Sequence, residues 1–200
     1  EWFEGFSTDS TITLPNNQAD KIVINYNNEV PEFNQRNNWR SVTDFHLTNK
    51  PFKFVFFQDL EDPKYNQILY VPILNYNLYD GLMPGMRFYN KTILNKPFIY
   101  DINPVWGVKS KTFVGSFSFL YTQNNRETNW YQTIYSMSGS RFHYAPDAEF
   151  YKFNPILIFR RRESDLRDNH KEQLLFRYVM IDRQQTDFID TDWLESIDAC

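Results

Sequence analysis

The three histidines are the first residues to consider for catalysis or metal binding. His46, His143 and His170 have neither the spacing of an H-E-x-x-H motif nor that of any other metal-ligand pair. The only cysteine is Cys200, which excludes a cysteine-based zinc cluster and a disulfide within the chain. The sequence also contains no G-x-S-x-G motif and no glycine-rich phosphate loop. We therefore expect no catalytic residue, no metal site and no cofactor in this chain.

Two charged segments are candidates for ligand binding. Residues 160–165 read Arg-Arg-Arg-Glu-Ser-Asp, which suits either a contact with lipopolysaccharide or another partner, or a solvated loop whose charges compensate locally. Residues 59–63 are acidic but lack the ligand spacing of a calcium loop. The formal net charge of −4 argues against a strongly basic nucleic-acid binder. We expect solvated loops at both segments and no nucleic-acid partner.

The composition favours β-structure. Aromatic residues number 37 of 200, and the chain has 20 asparagines but only four alanines. Many aromatic residues with few alanines disfavour helices, and asparagine suits turns because it tolerates positive φ. No run of 18 apolar residues is present, so the sequence predicts no transmembrane helix.

Eight segments of strand length follow one another from residue 51 onward. Most are near ten residues long, which is about the length that a tilted strand needs to cross a bilayer. The predicted strands are residues 52–57, 68–77, 82–91, 98–108, 112–121, 131–144, 150–160 and 173–182. We expect three regions: residues 1–50 as the end of a β-rich domain and a linker, with a strand at 21–26; residues 51–185 as the eight strands; and residues 186–200 as an acidic tail.

Apolar and polar residues alternate along these strands, so each strand has two different faces. The exception is residues 131–144, where three serines share a face with Ile134 and Phe142 and predict a bulge. Alternation with aromatic ends is typical of membrane barrels. The predicted lipid-facing aromatic residues are Trp106, Phe113, Phe117, Phe119, Phe153, Phe159 and Phe176, and the predicted lumen-facing polar residues are Arg87, Asp101, Asn154 and Arg177.

A soluble antiparallel barrel or sandwich gives the same alternation with the faces inverted, because its aromatic side chains must leave water. Two features favour the membrane interpretation. The apolar face is aromatic rather than aliphatic, and it stays apolar along its full length in successive strands. The alternative is a soluble β-rich domain that binds carbohydrate or peptide through its aromatic residues.

The connections between the predicted strands alternate between long and short. The long ones are residues 58–67, 92–97, 122–130 and 161–172, and the short ones are residues 78–81, 109–111 and 145–149. Outer-membrane barrels have long external loops and short periplasmic turns. The sequence therefore predicts an all-β, antiparallel, up-and-down meander that forms a complete or partial barrel in the bacterial outer membrane.

Three motifs resemble one known family: YVPILNYNLYDGLMPGMRFYNK at residues 70–91, NKPFIYD at residues 95–101 and FHYAPD at residues 142–147. They resemble the C-terminal portion of large zinc metallopeptidases of the aminopeptidase N type from Gram-negative bacteria. Residues 21–39, with VPEFN at 30–34, resemble the junction after the peptidase region of that family.

The resemblance implies a surface-antigen-like barrel that anchors a zinc metallopeptidase, with outer-membrane lipid and the rest of its own chain as partners. The family's zinc-binding motif is absent, so no catalytic or zinc-binding residue carries over, and zinc is expected only in the separate catalytic region. No strand follows the acidic tail, whereas a family barrel is expected to continue. We therefore expect this chain to be a fragment of a longer protein.

Overall fold

A computed structural model describes residues 11, 13, 19–32, 35–42, 50–57, 60–125, 127–163 and 169–187 of the chain. The chain divides into two compact units. The smaller unit comprises the described residues up to Pro51 together with Pro63–Asn66, and the larger unit comprises Phe52–Asp62 and the described residues from Gln67 onward.

The smaller unit contains one antiparallel strand pair, β1 (Lys21–Val23) and β2 (Trp39–Ser41), with a single 3-10 turn at Arg36–Asn38 before β2. The strand predicted at residues 21–26 is wrong in its length. It ends at Val23 because Asn25 has a φ of 52°, which an extended strand does not allow. The side-chain oxygen of Asn25 instead accepts a hydrogen bond of 3.1 Å from the backbone N–H of Val30 and closes the turn.

The larger unit is a nine-stranded antiparallel sheet. From β3 to β10 each strand pairs with its neighbour in the chain, and β11 also pairs with β9. This order confirms the predicted all-β antiparallel meander. The strands are β3 (Phe52–Phe56), β4 (Asn66–Asn77), β5 (Gly81–Tyr89), β6 (Phe98–Gly107), β7 (Thr112–Asn124), β8 (Gln132–Ala145), β9 (Ala148–Arg162), β10 (Lys171–Arg177) and β11 (Met180–Arg183).

The connections of the sheet alternate in length, as predicted. Long connections lie between β3 and β4, β5 and β6, β7 and β8, and β9 and β10, whereas residues 78–80, 108–111 and 146–147 form short turns. Because the strands are antiparallel, all the short turns lie at one end of the sheet and all the long connections at the other. We call these the turn end and the loop end.

The strand predicted at residues 173–182 is two strands, interrupted at Tyr178 and Val179. β10 and β11 keep the same register along β9, with Arg177 opposite Ile156 and Met180 opposite Phe153. The residue opposite Tyr178 is therefore Pro155. Its carbonyl accepts a hydrogen bond of 3.1 Å from the N–H of Tyr178, but proline has no N–H to donate in return. The N–H group that Pro155 lacks explains why the strand is interrupted at Tyr178 and Val179.

The bulge predicted among the serines of residues 131–144 is wrong in its position. The register of β8 with β9 is continuous from Gln132 to His143, and the irregularity lies between His143 and Ala145. The serines need no bulge, because they continue the polar face of the neighbouring strands, opposite residues such as Lys152 and Asn154.

Gly115 in β7 is required for the close approach of β6. Its φ is +142°, and a Cβ atom at this position would collide with the carbonyl oxygen of Asn103.

We expect Gly115→Ala to lower the free energy of unfolding by about 1–3 kcal/mol, measured from urea-induced changes in tryptophan fluorescence. Ser118→Ala, on the same strand, is the control and is expected to change stability by less than about 0.5 kcal/mol. Equal stabilities of the two variants would contradict the strain assigned to Gly115.

Candidate functional site

The register of the sheet assigns every residue of β4 to β10 to one of two faces. One face, which we call the aromatic face, is formed by even-numbered residues of β4–β6, odd-numbered residues of β7–β9, and Leu174 and Phe176 of β10. The opposite face, which we call the polar face, is formed by the alternate residues. All seven aromatic residues predicted to face lipid lie on the aromatic face, and Arg87, Asp101, Asn154 and Arg177 all lie on the polar face.

The aromatic face is exposed although it is apolar. Ten large apolar side chains in β4–β9 are exposed, and nine of them are on this face. Among the residues predicted to face lipid, Trp106, Phe113 and Phe176 are exposed by 39%, 66% and 54%, and the other four are half-buried. The nine are Leu74, Tyr76, Leu82, Phe98, Trp106, Phe113, Tyr121, Tyr135 and Met137. Monomeric water-soluble proteins rarely expose so continuous an apolar surface.

Rings on the aromatic face contact one another across neighbouring strands. Trp106 and Phe113 are direct cross-strand partners, and their ring centroids lie 4.8 Å apart in an edge-to-face arrangement. Tyr121 and Tyr135 are likewise opposite each other, with centroids 6.1 Å apart. Such pairs stabilise the sheet register by about 0.5–1.5 kcal/mol each. The aromatic residues therefore support the fold while they remain exposed.

Paired charges and hydrogen bonds characterise the polar face. Arg87 on β5 forms an ion pair with Asp101 on β6 in which both carboxylate oxygens accept hydrogen bonds. The side-chain amide of Asn103 donates a further hydrogen bond of 2.9 Å to Asp101. On β9, the side-chain oxygen of Asn154 accepts a hydrogen bond of 2.7 Å from Nε of Arg177. The four predicted polar residues thus form two separate pairs, Arg87 with Asp101 and Asn154 with Arg177.

The polar face is also the more enclosed one, and it carries the aliphatic residues of the sheet. Met83, Val105 and Val114 form a buried cluster near the turn end, with Ile73 packed against it. All four belong to the polar face. Aliphatic side chains therefore fill part of the polar face, beside its charged and amide groups.

A cluster of polar residues at the turn end was not predicted. Asp80, in the turn between β4 and β5, is completely buried and accepts hydrogen bonds from the amide of Asn77 at 3.0 Å and the N–H of His143 at 3.0 Å. Its other oxygen lies 2.6 Å from Nδ1 of His143. The pairing of β7 with β8 begins only at Gly115 and Arg141, so the carboxylate of Asp80 takes the place of β7 beside His143.

His143 is enclosed by carboxylates on both sides. Its Nε2 atom lies 3.3 Å from Glu149, which in turn pairs with Arg141 at 2.6 Å and accepts a hydrogen bond from the hydroxyl of Tyr151. A catalytic histidine needs one ring nitrogen available for a nucleophile or substrate. Both nitrogens of His143 are engaged, so the geometry suits a structural link between strands. Nothing in the sequence indicated this contact, because Asp80 and His143 are far apart in the chain.

The last turn before β9 is tied to the segment after β11. The hydroxyl of Thr186 donates a hydrogen bond to Asp147, and the N–H of Asp187 donates a second one of 3.2 Å. Both bonds favour the charged carboxylate and lower the pKa of Asp147, the hydroxyl of Thr186 having the larger effect. A lowered pKa means that this contact contributes stability above the ordinary aspartate range and loses it as the pH falls through the lowered value.

The remaining candidates from the sequence are scattered. His46 and Asp59 lie outside the described residues, as do Ser164 and Asp165 of the charged run. His170 is exposed and lies 3.1 Å from Glu172. Within the described part of the chain, no group of three or more acidic, histidine or cysteine side chains is arranged to hold a metal ion. No helix among the described residues is long and apolar enough to span a bilayer.

The sequence matches no protein-family profile, no curated protein and no solved structure. The metallopeptidase resemblance therefore depends only on the sequence motifs at residues 70–91, 95–101 and 142–147 and on the junction-like segment at residues 21–39.

The buried carboxylate of Asp80 gives the first prediction for this site. Asp80→Ala removes the acceptor for the His143 N–H and leaves the imidazole facing a single carboxylate, Glu149. We expect the free energy of unfolding to fall by about 3–5 kcal/mol, measured by urea denaturation. Asp182→Ala, at an exposed position on β11, is the matched control and is expected to be nearly neutral. Equal effects of the two variants would disprove the role of Asp80.

Proposed function

We propose that the larger unit is a non-catalytic outer-membrane β-barrel module, whose aromatic face contacts lipid and whose polar face is turned to the interior. The observation that carries the proposal is that nine of the ten exposed large apolar side chains of β4–β9 lie on the aromatic face, distributed over the five successive strands β4 to β8. In water this exposure is unfavourable by about 25 cal/mol for each Å² of apolar surface, whereas hydrocarbon removes the cost. The hydrogen-bonded ladders between β4 and β5 and between β6 and β7 are continuous and satisfy the backbone there, as a bilayer requires, whereas the ladder between β5 and β6 is interrupted between Gly85 and Phe88.

We propose further that this module anchors a zinc metallopeptidase in the Gram-negative outer membrane, and that the zinc and the catalysis belong to a separate region of that protein. The support is the resemblance of residues 70–91, 95–101 and 142–147 to the C-terminal portion of such enzymes. On this proposal the isolated chain has no peptidase activity with added zinc. Robust turnover by the isolated chain would refute this part of the proposal.

A soluble domain that binds carbohydrate or peptide is the second candidate. It is favoured by an open groove of about 780 Å³ on β6–β10, because aromatic rings stack on sugars and on peptide side chains. The aromatic residues that line this groove are Phe98, Phe119, Tyr121, Tyr135, Phe176 and Tyr178. A chain that is monodisperse in buffer without detergent supports this candidate and contradicts the membrane module.

Met137 and Ser138 provide a test of the two faces. They are neighbours on β8, with Met137 on the aromatic face and Ser138 on the polar face. In a Cys200→Ser background, Met137→Cys and Ser138→Cys can each carry a nitroxide label after reconstitution into vesicles. We expect the label at Met137 to be accessible to oxygen, which partitions into lipid, and the label at Ser138 to a water-soluble nickel chelate. Nickel accessibility at both positions would rule out lipid contact at Met137.

The same two positions give a prediction about stability. An arginine at mid-bilayer on the lipid face costs about 2–4 kcal/mol, whereas one that faces a polar interior is tolerated. We expect Met137→Arg to lower the free energy of unfolding from vesicles by that amount and Ser138→Arg to have a smaller effect. In the soluble alternative, Met137 is 42% exposed to water, and Met137→Arg is then nearly neutral.

A further inference from the structure

Three cationic residues occupy neighbouring register positions on the polar face at the loop end of the sheet. Arg160 and Arg162 are on β9, two residues apart and therefore on the same face, and Lys171 on β10 is directly opposite Arg162. Arg160 and Arg162 are half-buried, and Lys171 is exposed. We call these three residues the cationic cluster.

Arg160 is held in position by neighbouring amides. Its Nη1 atom donates a hydrogen bond of 2.8 Å to the side-chain oxygen of Gln132, and its Nε atom donates one of 3.2 Å to that of Gln173. Gln132 in turn donates to Asn124 at 2.8 Å. These hydrogen bonds join side chains on four strands, from β7 to β10. They orient the guanidinium of Arg160 without neutralising its charge. A charged group that is fixed in this way binds a ligand with less loss of entropy than a mobile one.

The arrangement of Arg162 and Lys171 is unfavourable by itself. Like charges that face each other directly on neighbouring strands destabilise a sheet. On the opposite face, Arg161 pairs with Glu172 at 2.8 Å and with Glu163 at 3.8 Å. Among the described residues, no carboxylate is bonded to any member of the cationic cluster, and the guanidinium of Arg162 lies over the ring of Tyr131, 5.2 Å from its centroid.

We propose that the cationic cluster binds a phosphate group of a phosphorylated ligand. Two guanidinium groups and one ammonium suit a multiply charged oxyanion, because arginine binds phosphate oxygens in pairs and lysine adds a point charge. A bound phosphate also removes the repulsion between Arg162 and Lys171, which explains the otherwise costly pair. The proposal goes beyond the membrane role, and it holds whichever face of the sheet contacts lipid.

The test uses the full chain in neutral detergent and two probes. Inorganic pyrophosphate stands for a free phosphorylated solute, and phosphatidic acid mixed into the micelles stands for a lipid headgroup. The variant Arg162→Gln/Lys171→Gln removes two charges of the cluster, and the control Lys109→Gln/Lys111→Gln removes two charges from the turn between β6 and β7, at the opposite end of the sheet. Titrations are measured by calorimetry at constant ionic strength.

We expect at least one probe to bind the wild type and the control variant equally, and the cluster variant about tenfold more weakly. Binding of pyrophosphate identifies a free ligand, and binding of phosphatidic acid alone identifies a headgroup. At the same concentration, the bound probe is also expected to raise the thermal midpoint of the wild type by more than that of the cluster variant. Equal affinities of the cluster and control variants, or no binding of either probe to the wild type, would overturn the proposal.

Discussion

The alternation of side chains along an extended strand is the constraint on which this structure depends. Each strand presents one set of residues to the aromatic face and the other to the polar face, and a slip of one residue would exchange the two sets. The short turns at residues 78–80, 108–111 and 146–147 limit such slips, since they leave little freedom in how one strand follows the next. Ring contacts such as Trp106 with Phe113 favour the same register from the aromatic side.

The buried residues at the turn end complement this arrangement. Hydrogen bonds within each hairpin determine local pairing, but they do not hold together strands that are distant in the sheet. The carboxylate of Asp80 does so, because it joins the turn between β4 and β5 to His143 on β8. With Glu149 on the other side of the imidazole, a polar cluster stabilises the end of the sheet where the aliphatic residues Val105 and Val114 are also buried. Buried polar side chains and buried aliphatic side chains therefore lie at the same end of the sheet, the turn end.

Much of the sheet follows from the sequence, because the signals for it are local. Alternation predicted that Arg87 and Asp101 share one face and that Trp106 and Phe113 share the other, as the register shows, and turn residues located the short connections. The sequence contains Pro155, but it does not show that Pro155 lies opposite Tyr178 on the neighbouring strand. The interruption at Tyr178 could therefore not be predicted. The contact of Asp80 with His143 joins residues 63 positions apart in the chain, and no short segment encodes it.

The connectivity of the sheet has a consequence for the order of folding. Strands that pair with their chain neighbours close only short loops, so each hairpin can form soon after its two strands meet. The hydrogen bond from His143 to Asp80 is different, since it spans 63 residues of sequence. Pairing of the intervening strands β5, β6 and β7 shortens the loop that this bond closes, so we expect it to form after the hairpins between β4 and β8 rather than to nucleate the sheet.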